Sequence, residues 1–324
     1  MPARLPESKH FRIEKLAEGV YAAIASENGY AICNAGIIDA GEKTAVFDTF
    51  ISPEAAEDLL KAAEQLTSHK VTHVVNSHHH NDHIRGNQVF SSDVDVVSTV
   101  LTREGIARNE PKEIRWEKEN IPKEILNAQS KLKTEKDPKR RRELACSIVY
   151  YQAISKSHPQ LKTRLPNITF EHKLVIHGTQ RTVELLPLIG HTASDIVLYL
   201  PEEKIAFMSD LLFINIHPYL PSGFPEYWKQ SLAKVEALGI QTAVPGHGPV
   251  GRSADLSVMT QYIQTLESIA ENMVESGKSA EEAHLQPVPS PFDTWWSFDN
   301  FFTMNLEFLC KRATQATQRK RAPL

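Results

Sequence analysis

The chain of 324 residues is short of several features that would place it at once. No apolar run approaches the roughly 18 residues needed to cross a bilayer, so no membrane-spanning helix is expected. The opening stretch MPARLPESKHFRIEKL has no apolar core of the signal-peptide kind, and export by that route is not expected. Cysteine is scarce: Cys33, Cys146 and Cys310 are odd in number and far apart. That excludes a disulfide framework and suits a reducing, cytoplasmic setting. Neither sign of charge is in excess, since 36 Lys and Arg against 40 Asp and Glu leave a net charge of −4. A chain so balanced carries no global electrostatic footprint for nucleic acid or anionic membrane. The basic runs at 139–142 and 319–321 read as solvated helix faces rather than an RNA platform. Internal repeats and low-complexity tracts are also lacking.

What is present is an ordinary globular composition, 41% hydrophobic and 23% charged, with enough length to bury a full core unaided. Short β-rich stretches at 11–16, 20–24, 31–39 and 44–47 are punctuated by Gly19, Gly29 and Gly41. Residues 52–65 have the 3–4 spacing of a helix with Pro53 in its first turn. Strands follow at 71–75 and 94–99. From 102 to about 161 the pattern turns charged and helical, with Pro138 expected to divide it into two helices. Strand character returns at 168–170, 174–176, 182–188, 196–200 and 204–208, the last two forming a hairpin. A helix at 225–238, a strand at 242–244 and a helical tail complete the chain. Strands first, then a helix, then a second strand-rich half with its own helices imply α+β layering in two halves.

The abundant residue type is histidine, with 14 in all, several crowded into Ser77-His78-His79-His80-Asn81-Asp82-His83. His78 and His80 are two apart and project the same way from extended backbone. Asp82 and His83 follow at once, and imidazoles with a carboxylate are the donors a zinc-like divalent ion prefers. Three more candidates follow apolar strands: His191 beside Gly190, Asp210 after Ile205–Met208, and His247 inside Pro245-Gly246-His247-Gly248-Pro249. All are expected on loops at strand ends. Each alone has an ordinary explanation, a turn Asp or a surface His. Together they make five His and two Asp, enough for two metal ions.

In its motifs and their order the sequence resembles the metallo-β-lactamase-fold hydrolase superfamily, over about residues 11–99 and 167–250. The resemblance implies an α/β fold, a four-layered αβ/βα sandwich with a groove at its top that holds two metals. It implies a single domain over 1–324 with a helical insertion at about 102–165 and a helical C-terminal extension at about 254–324. It implies that His78, His80 and His191 hold one metal, that Asp82, His83 and His247 hold the other, and that Asp210 bridges them. Asp48, in the FDTF turn, matches an acidic position that supports the histidine loop; capping of its own turn is the competing role.

Departures from particular branches narrow the resemblance. The commonest zinc β-lactamases carry Cys where Asp210 stands, and the lactonase branch carries Tyr where Phe213 stands. The flavodiiron branch has Glu at His80. Glyoxalase II-type thioesterases share all seven ligands, but their basic glutathione-binding residues have no clear counterparts here. The expected activity is therefore a metal-dependent hydrolase in which a metal-bridging hydroxide attacks an ester-like, lactone, thioester or amide carbonyl, with Asp82 and Asp210 the catalytic carboxylates. The expected cofactors are two divalent ions, zinc first and iron or manganese as alternatives. The alternatives are a mononuclear iron oxygenase of the persulfide dioxygenase type, using His78, His191 and Asp210, and, ranked lower, a nuclease. The expected partner is a small-molecule substrate, not a membrane or a nucleic acid, and a homodimer stays open. His217 is read as a loop histidine with a structural hydrogen bond, lining of the groove being the alternative. Trp295, Trp296, Phe298, Phe301 and Phe302 are read as core or interface ahead of substrate wall. The insertion is open between lid and dimer contact.

Overall fold

A computed structural model describes residues 5–297 and 301–321; Phe298 and the side chains of the basic run at 319–321 lie outside the described residues. The first half runs β1 (Phe11–Ala17), β2 (Val20–Ala25), β3 (Ala35–Asp39), β4 (Thr44–Phe47), α1 (Pro53–Thr67), β5 (His73–Val75), α2 (Asn81–Ile84), β6 (Asp95–Thr99), α3 (Val100–Thr134), α4 (Pro138–Ser157) and β7 (Ile168–Phe170). The second runs β8 (Leu174–His177), β9 (Thr182–Leu188), β10 (Asp195–Leu200), β11 (Ile205–Phe213), α5 (Pro225–Glu236), β12 (Thr242–His247), β13 (Gly251–Arg252), α6 (Ala254–Glu275) and α7 (Phe301–Arg321). Strands β1 to β7 lie side by side in chain order in one sheet, and β13-β12-β11-β10-β9-β8 make the other.

Alternation along the strands builds the layers. On β2, Val20, Ala22 and Ile24 face the second sheet, where they join Leu198, Phe207 and Val244. Tyr21 and Ala23 face the other way, onto Leu59 and Ala63 of α1. A period of two puts successive side chains on opposite faces, and both faces here are covered. The outer face of the second sheet presents Val197, Tyr199 and Met208 to Trp228 of α5, Tyr262 of α6 and Leu306 of α7. The result is helix, sheet, sheet, helix, the αβ/βα sandwich. Each large side chain buried in these seams contributes about 1.5–3 kcal/mol. Helix α1 starts where Ser52 accepts a hydrogen bond from the Ala55 amide at 3.1 Å, with Pro53 in the first turn, a cap that satisfies an otherwise orphaned donor.

Several boundaries differ from the sequence reading. Residues 31–34 are not strand: Ile32 has φ +74°, the Asn34 backbone N–H donates to the Gly246 carbonyl at 2.7 Å, and its side-chain Nδ2 donates to the Pro245 and Gly248 carbonyls at 2.9 Å. The expected two-helix insertion is present, but the break falls at Glu135–Asp137. Pro138 opens α4 behind an Asp137 cap, while α3 runs through both Pro111 and Pro122. Strand β11 continues past Met208 to Phe213, and β12 past Val244 to His247. These two pair in parallel with register shifts around Ser209, so Asp210 and His247 sit in irregular strand, not on the loops expected of them.

Candidate metal centre

The histidine motif starts where β5 ends at Val75. His80 is extended (φ −70°, ψ 149°) and precedes the first turn of α2, which carries Asp82 and His83. A bend at 78–79 brings His78 Nε2 to 3.1 Å from His80 Nδ1. His191, on the bend after β9, reaches across with Nε2 at 2.9 Å from the same His80 Nδ1. Asp210 comes from β11, where Ser209 adopts φ +46° and the bulge turns the carboxylate inward. His247 ends β12. Gly246 permits that approach, because a Cβ there would lie 1.9 Å from Asp210 Oδ1.

The seven candidates converge as two sets that share Asp210. Around Oδ2 stand His191 Nε2 at 3.3 Å and His78 Nε2 at 3.8 Å, with His80 completing the group. Around Oδ1 stand His83 Nε2 at 3.2 Å and His247 Nε2 at 3.4 Å. Asp82 Oδ2 lies 3.5 Å from His83 Nε2 and 3.3 Å from His247 Nε2. Donors about 2.0–2.2 Å from a tetrahedral ion lie about 3.3–3.5 Å from one another, and most of these separations are close to that. Among the described residues, His83 Nε2 and Asp210 Oδ1 are moreover buried without a hydrogen-bond partner, a costly state unless a cation engages them. The donor set therefore fits divalent ions.

Electrostatics divides the two sets. Burial holds the first neutral: His80 is lowered to about 4, His191 to about 3, and His78 well below the ordinary range. In the second set burial also opposes charge, but it is outweighed. Asp210 and Asp82 raise His247 to about 9. Cys33, Asp82, Asp210 and Asp48 together raise His83 well above its usual value. Burial pushes Asp82 and Asp210 up, yet His83 and His247 bring Asp82 to about 2 and Asp210 well below the carboxylate range.

Other residues hold the ligands in place. Asp48, at φ +61°, is buried; its Oδ1 accepts from the Ser77 amide at 2.8 Å and its Oδ2 meets His83 Nδ1 at 2.8 Å. It thus ties down the histidine loop, the supporting position that the resemblance implied. Ser77 Oγ contacts His78 Nδ1 at 2.9 Å and accepts from Ser209 Oγ at 2.6 Å. Such contacts on the far ring nitrogens fix ligand orientation. Cys33, read from the sequence only as a marker of compartment, donates through Sγ to the Asp82 carbonyl at 2.9 Å; burial pushes its thiol up to about 12. A network that the sequence reading missed lies behind Asp82. Buried Arg85 reaches Glu110 at 2.7 Å and Glu117 at 2.9 Å, and Glu117 also accepts from Asn81 at 3.0 Å. The spacing of Glu110 and Glu117, two turns of one helix, was the available signal.

A cavity of about 370 Å³ opens on the site, floored by His80, Asp82, His191, Asp210 and His247. Its walls include Trp116 and Ile121 of α3 and Tyr150 and Ile154 of α4, so the insertion borders the groove. Phe213 stacks on His247 with ring centroids 5.1 Å apart, and Phe301 joins the wall. Trp295 and Phe302 are instead buried core. His217 is buried too, 3.0 Å from the Tyr262 hydroxyl, and does not line the cavity. His177 at the end of β8 and His284 beyond α6 are exposed and belong to none of the donor groups.

The model of the metallo-beta-lactamase superfamily matches residues 29–247. Solved structures of similar fold include a metallo-beta-lactamase from Pontibacter korlensis, 19% identical, with a TM-score of 0.58 over 78% of this chain and 99% of that one. The DIM-1 metallo-beta-lactamase (TM-score 0.56) and TMB-1 (0.57) are each 16% identical, over 80% of this chain and 99% of theirs. At such identities the likeness is one of fold. Comparison with curated protein sequences gives no significant match. The family match spans more than half the chain and takes in all seven candidate ligands, and the chain belongs to the metallo-beta-lactamase superfamily.

Proposed function

We propose that the protein is a hydrolase that binds two divalent ions, zinc first among them, and cleaves an ester-like, lactone, thioester or amide carbonyl. The observation that carries this reading is the pair of donor sets on the two oxygens of one carboxylate: Oδ2 of Asp210 faces the His78–His80–His191 group and Oδ1 faces His83 and His247. Bound ions would supply Lewis-acid charge and a lowered pKa for water at the cavity floor. The protein's own groups do the rest. His78, His80 and His191, already neutral, need lose no proton to serve as donors. Asp210 fixes the spacing of the two sets. Asp82 opens onto the cavity and would take up or pass a proton there, with His247 Nε2 3.3 Å from its Oδ2. Phe213 and the walls of α3 and α4 would keep bulk water from the carbonyl. A single-iron oxygenase would rest on His78, His191 and Asp210 and could keep His83, Asp82 and His247 beside them, so the number and identity of bound ions, not the residue set, separate the two readings.

The test is elemental analysis of protein purified without added metal, paired with a panel of lactone, thioester, aryl ester, β-lactam and phosphodiester substrates. Near two equivalents of divalent ion at saturation, with metal-dependent turnover of a carbonyl substrate, is the expected result. One equivalent, dominated by iron, would overturn it in favour of the oxygenase.

A further inference from the structure

Resting on that hydrolase reading, the cavity wall carries a statement about the substrate. Its aromatic side chains are Trp116, Tyr150, Tyr151, Phe213, Tyr219 and Phe301. Trp116 is 55% exposed at the rim, while Tyr219 lies against Phe301 with centroids 5.4 Å apart. No Lys or Arg is among the described residues that line the cavity. The charged groups away from the metal floor are Glu113 and Glu117, both from α3. Glu117 is neutralised by Arg85 and bonded to Asn81 and His158. Glu113 lies between Glu110 and Glu117 on the same helix face, and it has neither hydrogen bond nor ion pair among the described residues.

An anionic substrate group would need a cation on the wall remote from the metals, and here it would meet an unpaired carboxyl instead. We propose that the α3–α4 hairpin is the specificity wall of this site, that Glu113 selects against negative charge, and that the substrate is an ester-type compound with an aromatic-sized apolar group, uncharged or cationic at the end remote from the scissile carbonyl. Aromatic faces attract a cation and repel nothing neutral, so wall and carboxyl select in the same direction. Burial pushes Glu113 up to about 7, Glu110 adding to the effect and Arg85 opposing it; the group is thus ionised in part at neutral pH.

The experiment uses the metal-loaded protein and phenyl acetates bearing a para trimethylammonium, carboxamide or carboxylate group. Because intrinsic reactivity cancels between enzymes, the quantity read is the cationic-to-anionic ratio of kcat/KM in wild type divided by that in Glu113→Gln. A value of at least about tenfold is expected, equivalent to about 1.4 kcal/mol, and Glu113→Lys should reverse the preference. A ratio unchanged within a factor of about two overturns the proposal, as does an anionic probe turned over as well as the neutral one. Calorimetry with benzyltrimethylammonium, which cannot be hydrolysed, separates the two readings. If no ester is turned over but the cation binds about tenfold more weakly to Glu113→Gln, the hydrolase reading fails and the pocket assignment stands. If esters are turned over while binding and ratio are both indifferent to Glu113, the hydrolase reading stands and the pocket assignment fails.

Discussion

Arg85→Met should destabilise the fold by about 3–5 kcal/mol, the cost of stripping the partner from a buried charge. The magnitude follows from where the charges sit. Arg85, Glu110 and Glu117 are all at most 3% exposed, and one guanidinium serves two carboxylates at 2.7 and 2.9 Å. Burial disfavours the guanidinium charge, but Glu110 and Glu117 outweigh it and hold Arg85 more firmly protonated than usual. Methionine fills the stem volume and leaves two buried carboxylates without their counter-charge. With about 2–4 °C per kcal/mol for a domain of this size, the midpoint should fall by roughly 6 °C or more. Urea and thermal unfolding on metal-free protein would measure this without a contribution from bound ions. Adding Glu110→Gln and Glu117→Gln to the Met variant should recover at least half the loss, because neutral amides tolerate burial better than carboxylates. A single variant within about 1 kcal/mol of wild type, or a triple variant worse than the single, would refute the reasoning. The site should respond as well, since Asn81 beside Asp82 is held by Glu117 at 3.0 Å.

The two donor sets should differ in the pH dependence of ion binding. His80 and His191, lowered to about 4 and about 3, are neutral throughout pH 6–8, whereas His247, raised to about 9, must shed a proton. The first ion's Kd should therefore be flat over that range and the second should tighten about tenfold per pH unit for each proton displaced; calorimetric titrations with equal slopes for both ions contradict this. Asp210→Asn should lose the second ion first and lower turnover at least about tenfold, a conservative bound from the cost of losing even outer support; retention of both ions with unchanged turnover rules out the shared-carboxylate role. His191→Ala should cost far more activity than His177→Ala or His284→Ala, and equal losses from the three would break the assignment of ligands.

The residues legible in the sequence are those whose meaning is local. His78, His80, Asp82 and His83 lie within six positions, and the backbone that arrays them, a bend and then one helical turn, is set by the same segment. Layering was legible only coarsely, from the order of strand-rich and helical stretches: β2 is apolar at every position, and only packing decides which side chains meet the second sheet and which meet α1. Asp210 and His247 were found as residues but misplaced as elements. Apolar character is interrupted at Ser209-Asp210 and at Pro245-Gly246, whereas the strands continue through both breaks because each supplies the other's ladder. Mutual pairing of that kind has no signature in either segment alone.

The cavity wall was least legible, for a related physical reason. Glu110, Glu113 and Glu117 fall in the stretch whose pattern is only charged and helical, and by composition nothing sets them apart from a solvated face. What assigns them different fates is the packing of α3 and α4 onto the metal loop, which places Arg85, 25 residues from Glu110 in sequence, against that face. One guanidinium can neutralise the carboxylates on either side of Glu113 but not Glu113 itself, one turn from Glu110 and about one turn from Glu117. Burial of the pair and exposure of the remaining carboxyl to the cavity are thus a single event. The same contact that anchors the insertion also leaves an unpaired charge facing the space where a substrate would lie. Shortening Arg85 should consequently disturb substrate selection as well as stability, while Glu113→Gln should alter selection with stability left within about 0.5 kcal/mol. Paired measurements on the two variants that moved both properties in parallel would show that anchoring and selection are not separable in this wall.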